Sequence, residues 1–279
     1  MLRKAIIVFV FIDVLAFVGL SALFVSKYKT NVESVKGAQA PTPTLTLAPT
    51  ITPTPTITPA PTRVPLSKQT YTIAIFGDSM VDTMGENLEY LDRALKVKYP
   101  GTHFKLYNYG IGSQNIEQGL ARFNQPFLYK TRNYPAITEI NADIIVLGSF
   151  AYNPLFPHDR NKHYLLLGNL VQETKKTSAK VYLLAEIAPI GEGFGQGPHG
   201  PNMARDAAYD QANRIIEQLE NTFGVAKNQG IPLINVFSET QVNGKYGSKF
   251  DTNPDDGIHP SVAGHQLIAS KIVSTIVLK

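Results

Sequence analysis

Apolar and polar positions alternate in blocks along residues 71–279, and these blocks predict strands and helices in turn. Short apolar runs rich in β-branched residues predict five strands, at 71–77, 103–110, 143–150, 180–188 and 231–237. Segments with helical spacing of apolar residues predict helices at 86–99, 115–124, 161–177, 203–223 and 261–277. This alternation favours an α/β fold, a three-layer α/β/α sandwich whose central five-stranded sheet is mostly parallel.

The first 36 residues follow a different pattern. Residues 5–25 form an apolar run, interrupted only by Asp13, that is long enough to cross a bilayer as a helix. We interpret this run as an uncleaved N-terminal signal anchor. A cleaved signal peptide is the alternative, because Ala-Gln-Ala at 38–40 resembles a small-residue cleavage site.

Residues 37–70 predict a disordered stalk. Between positions 41 and 62, 16 of 22 residues are Pro or Thr, without helical periodicity. Such a segment favours extended polyproline-like chain, and at about 3.1 Å per residue it would span roughly 70 Å. A stalk of this kind is most useful outside the membrane, and a cytosolic linker is the alternative.

The charge distribution argues against a nucleic-acid partner. Residues 1–36 carry five basic and two acidic side chains, residues 37–70 add Arg63 and Lys68, and the whole chain has a net charge of +4. Residues 71–279 therefore have a net charge of −1, so the folded part lacks a basic footprint. The absence of cysteine excludes disulfides, thiolate metal sites and a cysteine nucleophile.

Polar loops follow the predicted strands. Gly-Asp-Ser-Met at 77–80 follows the first strand, Asn-Tyr-Gly-Ile-Gly-Ser-Gln-Asn at 108–115 ends the second, and a loop ending in Asn153 follows the third. Asp-Asp-Gly-Ile-His-Pro at 255–260 lies between the fifth strand and the last helix. Ligands of parallel sheets gather at the carboxyl ends of the strands, so these loops are expected to meet there.

Three of these residues suit acyl transfer by a serine nucleophile. A serine hydroxyl attacks an acyl carbon when a base removes its proton, and Ser79 and His259 supply that pair. Asp256, three residues before the histidine, can orient its ring through one imidazole nitrogen. Asp255 is the alternative orienting acid, although it is expected to face solvent.

The same reaction needs hydrogen-bond donors for the oxyanion that develops on the acyl group. The candidates are the backbone N–H of Ser79, the carboxamide of Asn153 and a backbone N–H at Gly112 or Ser113. The residues leave open which of the last two N–H groups faces the substrate.

These motifs resemble, in order, those of the SGNH (GDSL-type) hydrolase superfamily. Gly-Asp-Ser-Met with Ser79 resembles its nucleophile motif, and Asp-Gly-Ile-His with Asp256 and His259 resembles its final motif. The resemblance implies a flavodoxin-like sandwich that hydrolyses esters. The second motif has Ser113 where the family's oxyanion glycine falls, and in the third, extra residues separate Gly148 from Asn153.

Other chemistry-bearing residues have plainer interpretations. A metal site built from Asp255, Asp256, His259 and His265 would leave the serine without a role, so no metal is predicted. His265 is expected to pack within the last helix, and Asp78 to cap a turn. The glycine-rich segment 189–202 is either a mobile flap or a plain surface loop.

Three aromatic residues, Phe150, Tyr152 and Phe156, lie close to Asn153 in sequence. They either line a pocket for an acyl group or a sugar, or belong to the core.

The sequence therefore predicts a membrane-anchored, extracytoplasmic serine esterase that needs neither a metal nor an organic cofactor. Its expected partners are an acyl-ester substrate, O-acetyl groups on envelope polysaccharide in particular, and the membrane. An O-acetyltransferase with the same acyl-enzyme is the nearest alternative, and lipid esters or thioesters come next as substrates. A catalytically silent carbohydrate-binding module is the alternative from a different class.

Overall fold

The structure, a computed structural model, describes residues 66–278. The predicted membrane segment at 5–25, the alternative cleavage site at 38–40 and most of the stalk lie outside those residues. Among the helices that are described, none is both long enough and apolar enough to cross a membrane.

Nine strands and seven helices are described in residues 66–278. The strands are, in chain order, β1 (Thr70–Gly77), β2 (His103–Gly110), β3 (Phe127–Tyr129), β4 (Arg132–Tyr134), β5 (Ile144–Gly148), β6 (Lys180–Ala185), β7 (Leu233–Asn235), β8 (Gln241–Val242) and β9 (Tyr246–Gly247). The helices are α1 (Ser79–Asp82), α2 (Glu89–Lys98), α3 (Ile116–Arg122), α4 (Arg160–Lys175), α5 (Arg205–Gln229), α6 (Phe237–Thr240) and α7 (Val262–Thr275).

Five of the strands form the predicted sheet. Their order is β2-β1-β5-β6-β7, and every neighbouring pair is parallel. Gly77 pairs with Gly110 and Phe76 with Leu147, so β1, β2 and β5 end at the same level. This order places the topological switch point, where ligands of such sheets bind, between β1 and β5.

Helices cover both faces of the sheet, as the apolar runs predict. Ile73 and Ile75 of β1 pack on one face with apolar side chains of α2 and α7. Ala74 and Phe76, which point the other way, pack with side chains of α3 and α4. All five residues of β5 are buried, because this strand is covered on both sides.

Several element boundaries differ from the prediction. Helix α5 runs to Gln229 and ends at Gly230 in the left-handed conformation, whereas the sequence predicts its end at 223. Strand β7 is only three residues long. The antiparallel pairs β3–β4 and β8–β9 were not predicted, because strands of two or three residues carry no periodic signal.

Candidate active site

The turn after β1 holds Ser79 at the first residue of α1. Asp78 caps this helix: its buried carboxylate accepts a hydrogen bond from Met80 N at 3.0 Å. This confirms the expectation that Asp78 has a capping role. The Asn108 amide donates to the carbonyls of Val81 at 3.0 Å and Gly85 at 2.7 Å, so the end of β2 fixes the turn from the other side.

Asn153 reaches the same turn despite the extra residues in its loop. Phe150, Ala151 and Tyr152 are all buried in the core, so the added length folds inward. The Asn153 amide then donates to Asp78 Oδ2 at 3.0 Å. One of its two N–H groups is used by this bond, and the second is available for another acceptor.

His259 and Asp256 form a hydrogen-bonded pair in the loop before α7. His259 Nδ1 lies 2.7 Å from Asp256 Oδ2, while Asp256 Oδ1 accepts from the backbone N–H groups of Ile258 at 2.7 Å and His259 at 3.0 Å. Burial would raise the pKa of Asp256, but these hydrogen bonds and the His259 ring hold it below its ordinary value. Asp255 is exposed, as expected.

The His259 loop and the Ser79 turn interact electrostatically through Asp78. Burial raises the pKa of Asp78 to about 6, although hydrogen bonds from Met80 and Asn153 and the charge of His259 oppose the increase. The charge of His259 therefore acts on the residue that precedes Ser79. Within residues 66–278, no hydrogen bond joins the side chains of Ser79 and His259. Such catalytic hydrogen bonds are often long in ligand-free enzymes.

The loop after β2 presents two backbone N–H groups with different surroundings. Gly112 N donates to the Tyr129 hydroxyl at 3.4 Å. Ser113 has a φ of +61°, a conformation that favours glycine, which fits the glycine found at this position in the superfamily it resembles.

A buried arginine from the β3–β4 hairpin braces this loop. Arg132 donates to the carbonyls of Asn108 at 2.8 Å and Gly110 at 2.9 Å, and to Asp82 Oδ1 at 2.5 Å. The charge of Arg132 is paired with Asp82, which also contacts Lys130. Sequence reasoning missed this residue, since its partners lie between 22 and 50 positions away in the chain.

A second buried network under the site was also missed. Glu186, which follows β6, accepts from Ser149 N at 2.9 Å and from Ser149 Oγ at 2.5 Å. The Ser149 carbonyl accepts from His163 Nε2 at 3.0 Å, so His163 Nδ1 is left to accept from Asn221 Nδ2 at 3.1 Å. The network ties the loop that carries Asn153 to β6, α4 and α5.

Burial changes the ionisation of this network. It raises the pKa of Glu186 to about 8, helped by the nearby negative charge of Asp78, while the hydrogen bonds from Ser149 oppose it. Burial also lowers the pKa of His163 to about 4, so its ring is neutral at pH 7. The only sequence signal for this buried network is Glu186, an acid at the end of an apolar strand.

The remaining candidates lie apart from this chemistry. His265 is buried and stacks on Tyr90, with ring centroids 5.8 Å apart, in agreement with a packing role. Phe150 and Tyr152 belong to the core, whereas Phe156 is 94% exposed. Within residues 66–278, no three or more His, Cys, Asp or Glu side chains form a group that could hold a metal ion.

The parallel sheet and the polar loops at its carboxyl edge define an α/β/α hydrolase. Residues 73–272 match the family model of the GDSL-like lipases/acylhydrolases, and the chain belongs to that family. It is therefore an enzyme that hydrolyses esters, as the motifs predict. Comparison with curated proteins gives no significant match.

Solved structures share the fold at low sequence identity. The lipase/acylhydrolase from Enterococcus faecalis has a TM-score of 0.55 and 18% identity, covering 73% of this chain and 94% of that chain. The acetyl xylan esterase AlAXEase has a TM-score of 0.53 and 19% identity over 74% and 100%. Axe2, an acetylxylan esterase from Geobacillus stearothermophilus, has a TM-score of 0.51 and 16% identity over 73% and 93%.

Proposed function

We propose that this protein is a membrane-anchored, extracytoplasmic serine esterase that removes O-acetyl groups from envelope carbohydrate. The observation that carries the mechanism is the 2.7 Å bond between His259 Nδ1 and Asp256 Oδ2, in a loop whose histidine acts electrostatically on Asp78, the residue before Ser79. The bond leaves His259 Nε2 available as the base. The apolar run and the Pro/Thr segment support the anchor and the stalk.

In the proposed reaction, Ser79 Oγ attacks the acyl carbon while His259 Nε2 takes the hydroxyl proton. The oxyanion accepts hydrogen bonds from Ser79 N–H, from the second Asn153 N–H and from Ser113 N–H, because Gly112 N–H is directed to Tyr129. His259 then protonates the leaving alkoxide. Water, deprotonated by His259, then attacks the acyl carbon, and the histidine returns the proton to Ser79 Oγ as the acyl-enzyme bond breaks and acetic acid leaves.

Acetylated carbohydrate is the substrate class favoured by one observation and by the predicted location. Two of the solved structures with this fold are acetylxylan esterases. A stalk-borne domain outside the membrane would face polysaccharide of the envelope.

Labelling with a fluorophosphonate probe tests the mechanism before any substrate is known. Wild-type protein should be labelled at Ser79, and Ser79→Ala should abolish both labelling and the hydrolysis of a short-chain aryl ester. Acetate release from acetylated xylan should then exceed release from the same polymer after chemical deacetylation. Unlabelled but folded wild-type protein would contradict the proposed mechanism, and acetyl transfer to a sugar acceptor without acetate release would favour the transferase.

A further inference from the structure

The glycine-rich segment between β6 and α5 packs directly against the Asp256–His259 loop. His199 N donates to the Asp255 carbonyl at 2.8 Å, and Gly195 N donates to the Gly257 carbonyl at 3.3 Å. Within the segment, Asn202 N donates to Gly195 O at 2.8 Å, which folds the segment back on itself. Phe194 is buried, so the segment is anchored in the core.

The contact between the two segments is made by backbone atoms. A methyl group at Gly197 would lie 2.5 Å from Asp255 O, and one at Gly200 would lie 2.8 Å from Asp256 O. A methyl group at Gly257 would lie 2.4 Å from Gly193 O. Glycine allows backbones to approach this closely, and any larger residue must displace one of the two segments.

We propose that Gly197, Gly200 and Gly257 are positioning residues, and that segment 193–200 is a rigid wall that fixes the backbone carrying Asp256. This proposal rests on the proposed function, in which Asp256 orients His259. Gly257 N also donates to Asn253 O at 2.8 Å, and Asn253 N donates to His259 O at 2.7 Å. A shift of the wall would therefore move both members of the pair relative to Ser79.

The wall differs from both sequence-based interpretations of this segment. A mobile flap would not share backbone hydrogen bonds with the loop it covers, and a plain surface loop would not need glycine at the contact. Close approach explains Gly197 and Gly200, because the atoms that these two glycines face belong to the backbone of residues 254–256 and of Gly195.

Two matched pairs of variants test the proposal. Gly200→Ala adds a methyl group 2.6 Å from Gly195 O and 2.8 Å from Asp256 O, and Gly168→Ala adds one where the nearest atom outside its own helix is 3.8 Å away. Gly257→Ala and Gly244→Ala have similar φ values, +66° and +73°, but only the first meets other atoms. In folded protein, Gly200→Ala and Gly257→Ala should lower kcat on an aryl ester by about 10-fold or more, with KM within about 3-fold. Because Gly168→Ala and Gly244→Ala do not disturb the contact, kcat of both controls should stay within about 2-fold of wild type.

A second readout does not depend on ester hydrolysis. The Nδ1 proton of His259 can be identified by NMR from its loss in Asp256→Asn. Its signal should shift or broaden in Gly200→Ala and Gly257→Ala, called here the wall variants because both disturb the contact with the wall, and be unchanged in the controls. If Ser79→Ala retained full activity, the proposed function would fail, while this signal would still decide the role of the wall.

Amide exchange of the wild-type protein covers the case in which the wall variants do not fold. The N–H groups of His199 and Gly195 should exchange slowly, because each is bonded across the contact. Exchange at the rate of a free peptide would overturn the proposal. Folded wall variants with unchanged turnover and an unchanged His259 signal would overturn it as well.

Discussion

At the scale of single residues, two adjacent acids have different surroundings. Asp256 accepts three hydrogen bonds, one of them from the His259 ring, and its pKa is held below the ordinary value against the effect of burial. Asp255 is exposed, and its backbone carbonyl contacts the glycine-rich wall. Only Asp256 is placed to select the tautomer of the histidine.

Amidation of each acid in turn tests this difference. Asp256→Asn should lower kcat/KM on an aryl ester by about 10³-fold or more, because an amide can present an N–H to His259 Nδ1 and so favour the wrong tautomer. Asp255→Asn should change it by about 3-fold or less, as expected for an exposed side chain. Equal losses in steady-state assays of the two proteins would contradict the assignment of Asp256.

At the scale of elements, the loop between β5 and α4 is held by a buried polar network. Glu186 accepts both hydrogen bonds from Ser149, and no cation contacts its carboxylate in residues 66–278. Gly148 makes room for it, since a methyl group there would lie 2.8 Å from Glu186 Oε1. The position of Asn153 therefore depends on side chains from three other elements.

The pH dependence of stability should report this network. Burial raises the pKa of Glu186 from 4.5 to about 8, so the folded state binds more protons than the unfolded chain between these values. The stability contributed by this group is therefore lost as pH rises through that window. Glu186→Gln keeps the side-chain shape without ionising, so between pH 5 and pH 8 its free energy of unfolding should fall less than that of wild type, by about 1 kcal/mol or more.

Urea unfolding at several pH values measures this difference. His163 and the other titrating groups are shared by the two proteins, so the comparison isolates Glu186 and its interaction with Asp78. Glu192→Gln, at an exposed position, is the matched control and should follow wild type. Parallel pH curves for wild type and Glu186→Gln would show that Glu186 ionises as freely in the folded protein as in the unfolded chain.

At the scale of the whole molecule, the amino end of β1 lies far from the candidate site. Residues 67 and 68 lie beside Asp143 and Val277 at the amino ends of the strands, where Lys68 pairs with Asp143. Ser79 follows the carboxyl end of β1, eight residues along the strand. At about 3.3 Å per residue, the amino end of β1 and Ser79 are roughly 25 Å apart.

Fractionation tests the predicted anchor and stalk. Full-length protein should sediment with membranes, and a variant lacking residues 5–25 should remain in the supernatant, because the apolar run supplies the membrane affinity. Protease added to intact cells should cut the Pro/Thr segment and release the folded region. Protection until the membrane is opened would contradict the extracytoplasmic location.

The sequence by itself determined the five strands of the sheet and the main helices between them, the family, and which residues are candidates for the chemistry. Each of these features is written within a few neighbouring positions: apolar periodicity defines an element, Asp78 caps the turn that carries Ser79, and Asp256 reaches His259 three residues away. Interactions between residues this close in sequence can be predicted without knowledge of the fold.

Only the tertiary structure decided what supports those residues. Glu186 and Ser149 are 37 positions apart, and His163 and Asn221 are 58 apart, so no local pattern links them. The contact of the glycine-rich segment with residues 254–257 is likewise made by backbone atoms, so the types of side chain in the sequence do not predict it. Such partners become neighbours only when the parallel sheet brings the carboxyl ends of its strands to one edge, because the crossover helices separate them in sequence.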